Sequence, residues 1–203
     1  GTIGTLLSER LAGSYDLVLQ GRQPRTPAQR DVLRLADLSD YAEVLPLMGG
    51  VDTVVHLAGS ASPESTWDAV LWANIVGLRN VLEAAREAGV RRFVFASSNH
   101  AMGGHDRVGD WPVLPTSLPR PDSLYGVSKV FGETLGRFYH DEYGIDVISL
   151  RIGWVSDDPM DTDVDLLHAM WLSPGDCEQV VRCAIEAAVT YGVFYAISDN
   201  PNR

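Results

Sequence analysis

The stretch RFVFASSNH, residues 92–100, decides how the rest of the chain is read. Its first seven residues hold Phe93, Val94 and Phe95 in an unbroken apolar run and end in the small residues Ala96, Ser97 and Ser98. A strand with one wet face alternates apolar with polar; an unbroken run fits a strand covered on both faces, as in the middle of a parallel sheet. Similar runs occur at DTVVHLAG (52–59), DVISLRIG (146–153) and GVFYAIS (192–198), with shorter ones at DLVLQ (16–20) and DVLRL (31–35). Helical patterns lie between them at roughly 4–12, 40–48, 65–88, 123–143 and 175–190, and Gly89 closes the third as a C-cap. Strand–helix alternation with short connections predicts an α/β fold, a doubly wound parallel sheet in one domain spanning residues 1–203.

The 203 residues are 45% hydrophobic and 21% charged, with a formal net charge of −11. That balance leaves no basic stripe to neutralise phosphates, so nucleic acid is excluded as an expected partner. No apolar run reaches the ~18 residues of a membrane span. Cys177 and Cys183 have neither metal-ligand spacing nor a disulfide pattern, and read as reduced thiols of a cytoplasmic protein. No metal site is expected.

Two stretches break the rhythm, 99–122 with Pro112, Pro115, Pro119 and Pro121, and 154–174 with a run of aspartates. Both follow strands, and in open α/β sheets ligands bind beyond the carboxyl ends of the strands, so these loops are the expected walls of a substrate cleft. The first residues, Gly1-Thr2-Ile3-Gly4, run into a helix like the second half of a glycine-rich turn that cradles a pyrophosphate. Such a turn follows a strand, so the expectation is a further strand upstream of Gly1.

Tyr125 and Lys129 lie four residues apart, and Lys129 is the only lysine beside 15 arginines. On a helix the two share a face. A phenol with its ordinary pKa of ~10 is a poor base at neutral pH, and a fixed ammonium one turn away stabilises its phenolate. Arginine, with a broad and permanently protonated fork, suits neither a compact site nor a proton relay. Ser97 and Ser98 end the strand that would face this pair. His56 reads as a packed core histidine, and His105, His140 and His168 as loop or surface residues.

With these residues in place, the chain resembles an extended short-chain dehydrogenase/reductase of the NAD-dependent epimerase/dehydratase family, a Rossmann-like fold. The motifs run in family order: GTIG at the start, ADL (36–38), HLAG (56–59), the asparagine of ANIVG (73–77), FASSNH (95–100), YGVSK (125–129) and LRIG (150–153). FASSNHAMG, RPDSLYGVSKVFGE and WLSPGD (171–176) are most similar to uronate dehydrogenases, which oxidise the C1 hydroxyl of a hexuronic acid. The resemblance implies Tyr125 as base, Lys129 lowering its pKa while holding the nicotinamide ribose, and Ser98 as the catalytic serine. It implies Asn99 and His100 as substrate contacts, together with Ser98 and Tyr125 themselves. For the cofactor it implies Gly1, Thr2, Ile3 and Gly4 at the pyrophosphate and Asp37 and Leu38 at the adenine. Leu57, Ala58, Gly59, Ser97 and Ile152 would line the cofactor, and Asn74 would support the site from its helix. A homodimer through the helices 65–88 and 123–143 is a further expectation, and the partner molecule is a sugar or sugar acid.

Two departures stand out. NAD-using members carry an acidic residue at the end of the second strand; here VLQGRQP (18–24) has Gly21 followed by Arg22, which leans towards the 2′-phosphate of NADP. Uronate dehydrogenases grip the substrate carboxylate with an arginine where this chain has Leu166, amid Asp157, Asp158, Asp161, Asp163 and Asp165. The expected function is therefore an NAD(P)-dependent oxidoreductase acting on a sugar or sugar-acid hydroxyl. A nucleotide-sugar epimerase and a non-catalytic NAD(P)-binding regulator are the alternatives.

Overall fold

The computed structural model describes residues 1–24 and 27–201. In chain order the elements are α1 (Thr2–Leu11), β1 (Leu19–Gly21), β2 (Leu33–Leu35), α2 (Tyr41–Val44), β3 (Thr53–His56), α3 (Trp67–Val70), α4 (Gly77–Glu87), β4 (Arg92–Ser98) and α5 (Leu124–Tyr143). They continue with β5 (Asp146–Ile152), β6 (Trp154–Val155), α6 (Asp165–Ala169), β7 (Trp171–Leu172), α7 (Pro174–Glu186) and β8 (Tyr191–Ala196).

The main sheet has the order β3-β4-β5-β8 and is parallel throughout. Ser98 pairs with Ile152, which pairs with Ala196, so β4, β5 and β8 end level at one edge. Successive side chains of β4 serve opposite faces, as a strand requires. Phe93 and Phe95 join Leu78, Leu82, Tyr139 and Val147 in the core under α4 and α5, while Val94 joins Leu7, Ile148, Leu150 and Val181 in the core under α1 and α7. These two cores account for the unbroken apolar run of β4. Phe93 is fully buried, and truncating such a side chain to alanine costs about 3–5 kcal/mol.

The early strands behave differently. β1 and β2 pair only with each other and are three residues each, shorter than the apolar runs that suggested them. With pairing on one side alone, Leu17, Val18, Val32 and Leu35 stay exposed where a central strand would bury them.

Capping signals were honoured. After α4, Gly89 adopts φ +74°; its N–H donates to the Arg86 carbonyl and that of Val90 to the Ala85 carbonyl, the double closure for which glycine is favoured. Ser123 starts α5 by accepting from the Gly126 N–H at 3.0 Å, and Gly144 ends it at φ +73°. Close approach of α5 to β4 needs Gly132, because a Cβ there would lie 2.3 Å from the Phe95 ring. Between α3 and α4 the backbone widens into a π turn over Leu71–Val76, which hydrophobic periodicity did not announce.

The stretch 154–174 is folded rather than open. β6 and β7 pair in parallel around α6, and the Trp171 indole donates to the Ser156 carbonyl at 3.0 Å. His105, expected as a loop or surface residue, lies in the first loop but is buried there; its ring is held by the Asp110 carboxylate at 2.9 Å and the Leu118 carbonyl at 3.0 Å, which ties the loop together.

His56 is the packed histidine its sequence position suggested, stacked on Phe93 and Phe95 with centroids at 5.8 and 6.2 Å. Burial, with help from the nearby Lys129 charge, pushes its pKa from 6.5 down to about 3. Unfolding lets it protonate near 6.5, so its contribution to stability is present above that pH and is lost as pH falls towards 3. At pH 5 this amounts to about 2 kcal/mol. Urea titrations at pH 7.5 and 5 should therefore show His56→Leu losing less stability on acidification than the wild type; equal losses would contradict the assignment.

Candidate active site

Because the strands are parallel, the loops after β3, β4 and β5 gather at one edge of the sheet, and the sequence-selected residues gather with them. Ser98 is the last residue of β4 and Tyr125 lies in the first turn of α5. Their approach is close because Gly126 has no side chain: a Cβ there would lie 2.3 Å from the His100 carbonyl oxygen. The Ser98 hydroxyl donates to Asn99 Oδ1 at 3.0 Å and lies near enough to the phenol of Tyr125 to act on its ionisation.

Lys129 follows one turn on. Its ammonium is buried, donates to the Ala96 carbonyl at 2.7 Å, and sits 4.9 Å from the Phe95 ring centroid and 5.4 Å from that of Tyr125. No carboxylate pairs with it among the described residues, and burial depresses its pKa from 10.5 to about 8. An ammonium has three donors, and the hydrogen bond to Ala96 uses one. Two donors are thus left over beside the Tyr125 ring, so Lys129 is a candidate to bind a polar group of a cofactor.

The expectation that Lys129 holds the phenol below its ordinary value is not met in the resting chain. Burial raises the Tyr125 pKa above 10, and the nearby Ser98 hydroxyl only partly offsets this. The physical reason is desolvation, which penalises the phenolate and likewise depresses the Lys129 ammonium to about 8. At neutral pH Lys129 is still charged, and a phenolate formed there would feel it.

Asn74 sits in the π turn and ties three parts of the site together. It accepts from the Ser60 N–H at 2.7 Å, donates to the Ser60 carbonyl at 3.0 Å, and donates to the Ser128 hydroxyl at 2.8 Å. Ser128 in turn donates to the Tyr125 carbonyl. Gly59 permits this contact: at φ +149° a Cβ would stand 2.8 Å from Asn74 Oδ1. Leu57, just after β3, packs against the same core as Ile3, and its Cδ1 lies 3.9 Å from where a Cβ of Gly4 would be, so the start of α1 borders the same edge. Gly1 is the N-cap of α1, ahead of Thr2 and Ile3 in its first turn, and Ala58 lies between Leu57 and Gly59 on the loop. Ile152 ends β5 beside Ser98.

Other residues are placed differently from their neighbours in sequence. The Ser97 hydroxyl faces away from Ser98 and donates to Glu133 at 2.6 Å. Glu133 is also gripped by Arg151 through two hydrogen bonds of 2.9 and 2.8 Å, a buried pair that no short motif announced. Asp37 accepts from the backbone and hydroxyl of Ser39, which lowers its pKa, with a smaller contribution from the Arg22 charge. The Leu38 carbonyl is pinned by Asn80 at 3.0 Å. Gly21 abuts Leu33, whose Cδ1 would lie 3.1 Å from an added Cβ. Asn99 donates to Met170 Sδ at 2.9 Å, joining the end of β4 to the second loop. His100 is paired with Asp122, Nδ1 to Oδ2, at 2.7 Å. Asp122, Ser128, Glu133 and Met170 were not selected from the sequence, since each acts through a contact made only in three dimensions.

Residues 1–156 match the model of the NAD dependent epimerase/dehydratase family. Across the whole chain it is 39% identical to an NAD-dependent glucose-6-phosphate dehydrogenase of Haloferax volcanii, covering 84% of that protein. Over 93% of its length it is 40% identical to an L-arabinose 1-dehydrogenase (NAD(P)(+)) of the same organism, covering 80% of that one. The fold superposes on a uronate dehydrogenase of Agrobacterium tumefaciens solved with NAD, at a TM-score of 0.87 and 34% identity, over 100% of this chain and 75% of that structure. The sheet, the serine–tyrosine–lysine edge and these likenesses agree, and the chain belongs to the NAD dependent epimerase/dehydratase family.

Proposed function

We propose that the protein oxidises a hydroxyl of a sugar, with Tyr125 as the base, Ser98 holding the reacting oxygen and Lys129 stabilising the phenolate. The observation that carries this is the unpaired, buried ammonium of Lys129, 5.4 Å from the ring of Tyr125. Burying such a charge costs stability on the order of 3 kcal/mol, judged from the depression of its pKa from 10.5 to about 8. A packed core would be better served by an apolar residue. A bound nicotinamide cofactor supplies the hydride acceptor. Ser98 keeps the sugar hydroxyl against the phenol, and Tyr125 takes its proton as the C–H bond yields its hydride. Gly1 to Gly4 and Leu57 to Gly59 would border the cofactor, with Lys129 on its ribose and Ile152 beneath it.

The wall formed by 154–174 points to a neutral sugar. α6 carries Leu166 where the resemblance to uronate dehydrogenases calls for arginine, and Asp157, Asp158, Asp161, Asp163 and Asp165 precede it in the same segment. The Asn99–Met170 contact, which joins this segment to the end of β4, supports that reading. A uronate or a sugar phosphate would meet like charge there; an aldose would not. The expected cofactor is NAD with NADP also accepted, since the β1 end carries Gly21 and the exposed Arg22 instead of an acid. Reduced cofactor should accumulate with aldoses at a kcat/KM about tenfold or more above that for the matching uronates. A preference for uronates would overturn the substrate assignment. In fluorescence titrations NADP should bind within about tenfold of NAD; a gap of a hundredfold in favour of NAD would remove the role given to Arg22.

Lys129→Met separates function from packing. Turnover should fall at least a hundredfold, while the thermal midpoint at pH 7 rises. The sign follows from the depressed pKa: between about 8 and 10.5 the unfolded chain binds more protons at this site, so wild-type stability gains with pH there. The difference between variant and wild type should therefore narrow towards pH 10. A variant less stable than wild type at pH 7 would contradict the charge assignment.

No helix among the described residues is long and apolar enough to cross a membrane. We place the protein in the cytoplasm, where its free thiols Cys177 and Cys183 would stay reduced. Trp67 and Trp72 before α4, and Leu124, Val127 and Phe138 on α5, are exposed. We assign this apolar face to a second copy of the chain, packed helix against helix. Light scattering should give twice the 22.1 kDa chain mass, and Phe138→Glu should return the monomer; a monomeric wild type would exclude the dimer.

A further inference from the structure

We propose that Asp122 is a positioning residue: it fixes the proton of His100 on Nδ1 and so presents Nε2 as an acceptor for a hydroxyl of the sugar. The inference rests on the sugar-oxidation reading. Its basis is a chain of contacts that begins at the catalytic helix. Ser123 caps α5 by accepting from the Gly126 N–H at 3.0 Å, and its hydroxyl donates to Asp122 Oδ1 at 2.8 Å. Asp122 Oδ2 meets His100 Nδ1 at 2.7 Å. The backbones are tied as well, since the Asp122 N–H donates to the His100 carbonyl and Arg107 donates to the Asp122 carbonyl at 2.8 Å. Gly103 makes room for the carboxylate: a Cβ there would lie 2.0 Å from Asp122 Oδ2. The His100 ring then stands edge-on to Tyr125, centroids 5.6 Å apart and planes at 65°.

An ordinary surface ion pair contributes little and orients nothing. This pair differs because both carboxylate oxygens are used and the side chains are 30% and 17% exposed, against one wall of the reacting edge. An ionised carboxylate only accepts, so the shared hydrogen belongs to Nδ1, and in a neutral imidazole the other nitrogen then offers a lone pair. A sugar hydroxyl can donate to that lone pair; a carboxylate, itself an acceptor, cannot. The dyad therefore contributes an acceptor for a sugar hydroxyl, while the acidic wall acts separately by charge.

The test combines kinetics with a measurement on the free protein. In Asp122→Asn the amide can donate to Nδ1 and drive the proton to Nε2. KM for the aldose should rise roughly tenfold, the loss expected for one hydrogen bond, with kcat and cofactor affinity little changed. His100→Ala should behave alike, and the double variant should be no worse than His100→Ala alone. Imidazole 15N spectra of the wild type at pH 8, with neither sugar nor turnover, should show His100 protonated at Nδ1 and bare at Nε2. A proton on Nε2 in that spectrum would overturn the proposal, as would multiplicative losses in the double variant or an unchanged KM in a folded Asp122→Asn. If the spectrum is as expected but no sugar reduces the cofactor, the sugar reading fails and the hydroxyl assigned to Nε2 falls with it, while the Asp122–His100 tautomer stands.

Discussion

The buried ammonium of Lys129 sets the terms for the elements around it. To reach the Ala96 carbonyl at 2.7 Å, α5 must lie hard against β4. That proximity is possible only because Gly132 faces Phe95 and Gly126 faces the His100 carbonyl, both at distances a side chain could not tolerate. Phe95 also lends its ring face to the ammonium, 4.9 Å away, an attraction that offsets part of the lost hydration. The same charge bears on His56, whose own depressed pKa is due first to burial and then to Lys129. A neutral histidine on β3 therefore lets a charged lysine stand nearby without like-charge repulsion.

The rotation of α5 about its axis is fixed one turn further along. Tyr125, Lys129 and Glu133 are spaced by four residues and so share a face. Glu133 is held from the sheet by Arg151 of β5 and Ser97 of β4. A buried ion pair of this kind is weak evidence for stability, because desolvation consumes much of its attraction. Its geometric effect is firmer: two strands grip one carboxylate, and any slip of the helix would break three hydrogen bonds at once. Ser97 thus helps orient α5, while the Ser98 hydroxyl turns instead to Asn99 Oδ1 and acts on the ionisation of Tyr125.

Much of the architecture could be read from the sequence, because it is written in local terms. Unbroken apolar runs gave β3, β4, β5 and β8 within a few residues, and Gly89 and Gly144 closed α4 and α5 where left-handed backbone is required. The Tyr125–Lys129 spacing worked for the same reason, since helix periodicity converts four residues into one turn. What stayed hidden depended on distant partners. The π turn that carries Asn74 interrupts a helix with no Pro or Gly inside it to mark the change. Asp122 is 22 residues from His100, and Glu133 is 18 from Arg151, so neither pair could be inferred from spacing. β1 and β2 misled in the opposite sense: strong β-formers such as Leu17, Val18 and Val32 remained exposed because strand pairing, and not propensity, decides burial.

The second loop is built separately from this frame, so the substrate role proposed for it would leave the frame undisturbed. β6 and β7 pair only with each other, so the acidic segment between them is tied to the body mainly through the Gly153–Trp154 and Met170–Trp171 backbone and the Asn99–Met170 contact. Several of its aspartates are occupied in short local turns, Asp158 with the Met160 N–H and Asp161 with Ser156, so they organise the loop as well as charge it. Replacing Leu166 with a cation would change what the wall attracts while leaving Lys129, Glu133 and the two cores untouched. On the proposed function, chemistry and substrate choice would be carried by different layers: the buried face of α5 against β4 for the first, and a separately folded excursion, meeting β4 at Asn99, for the second.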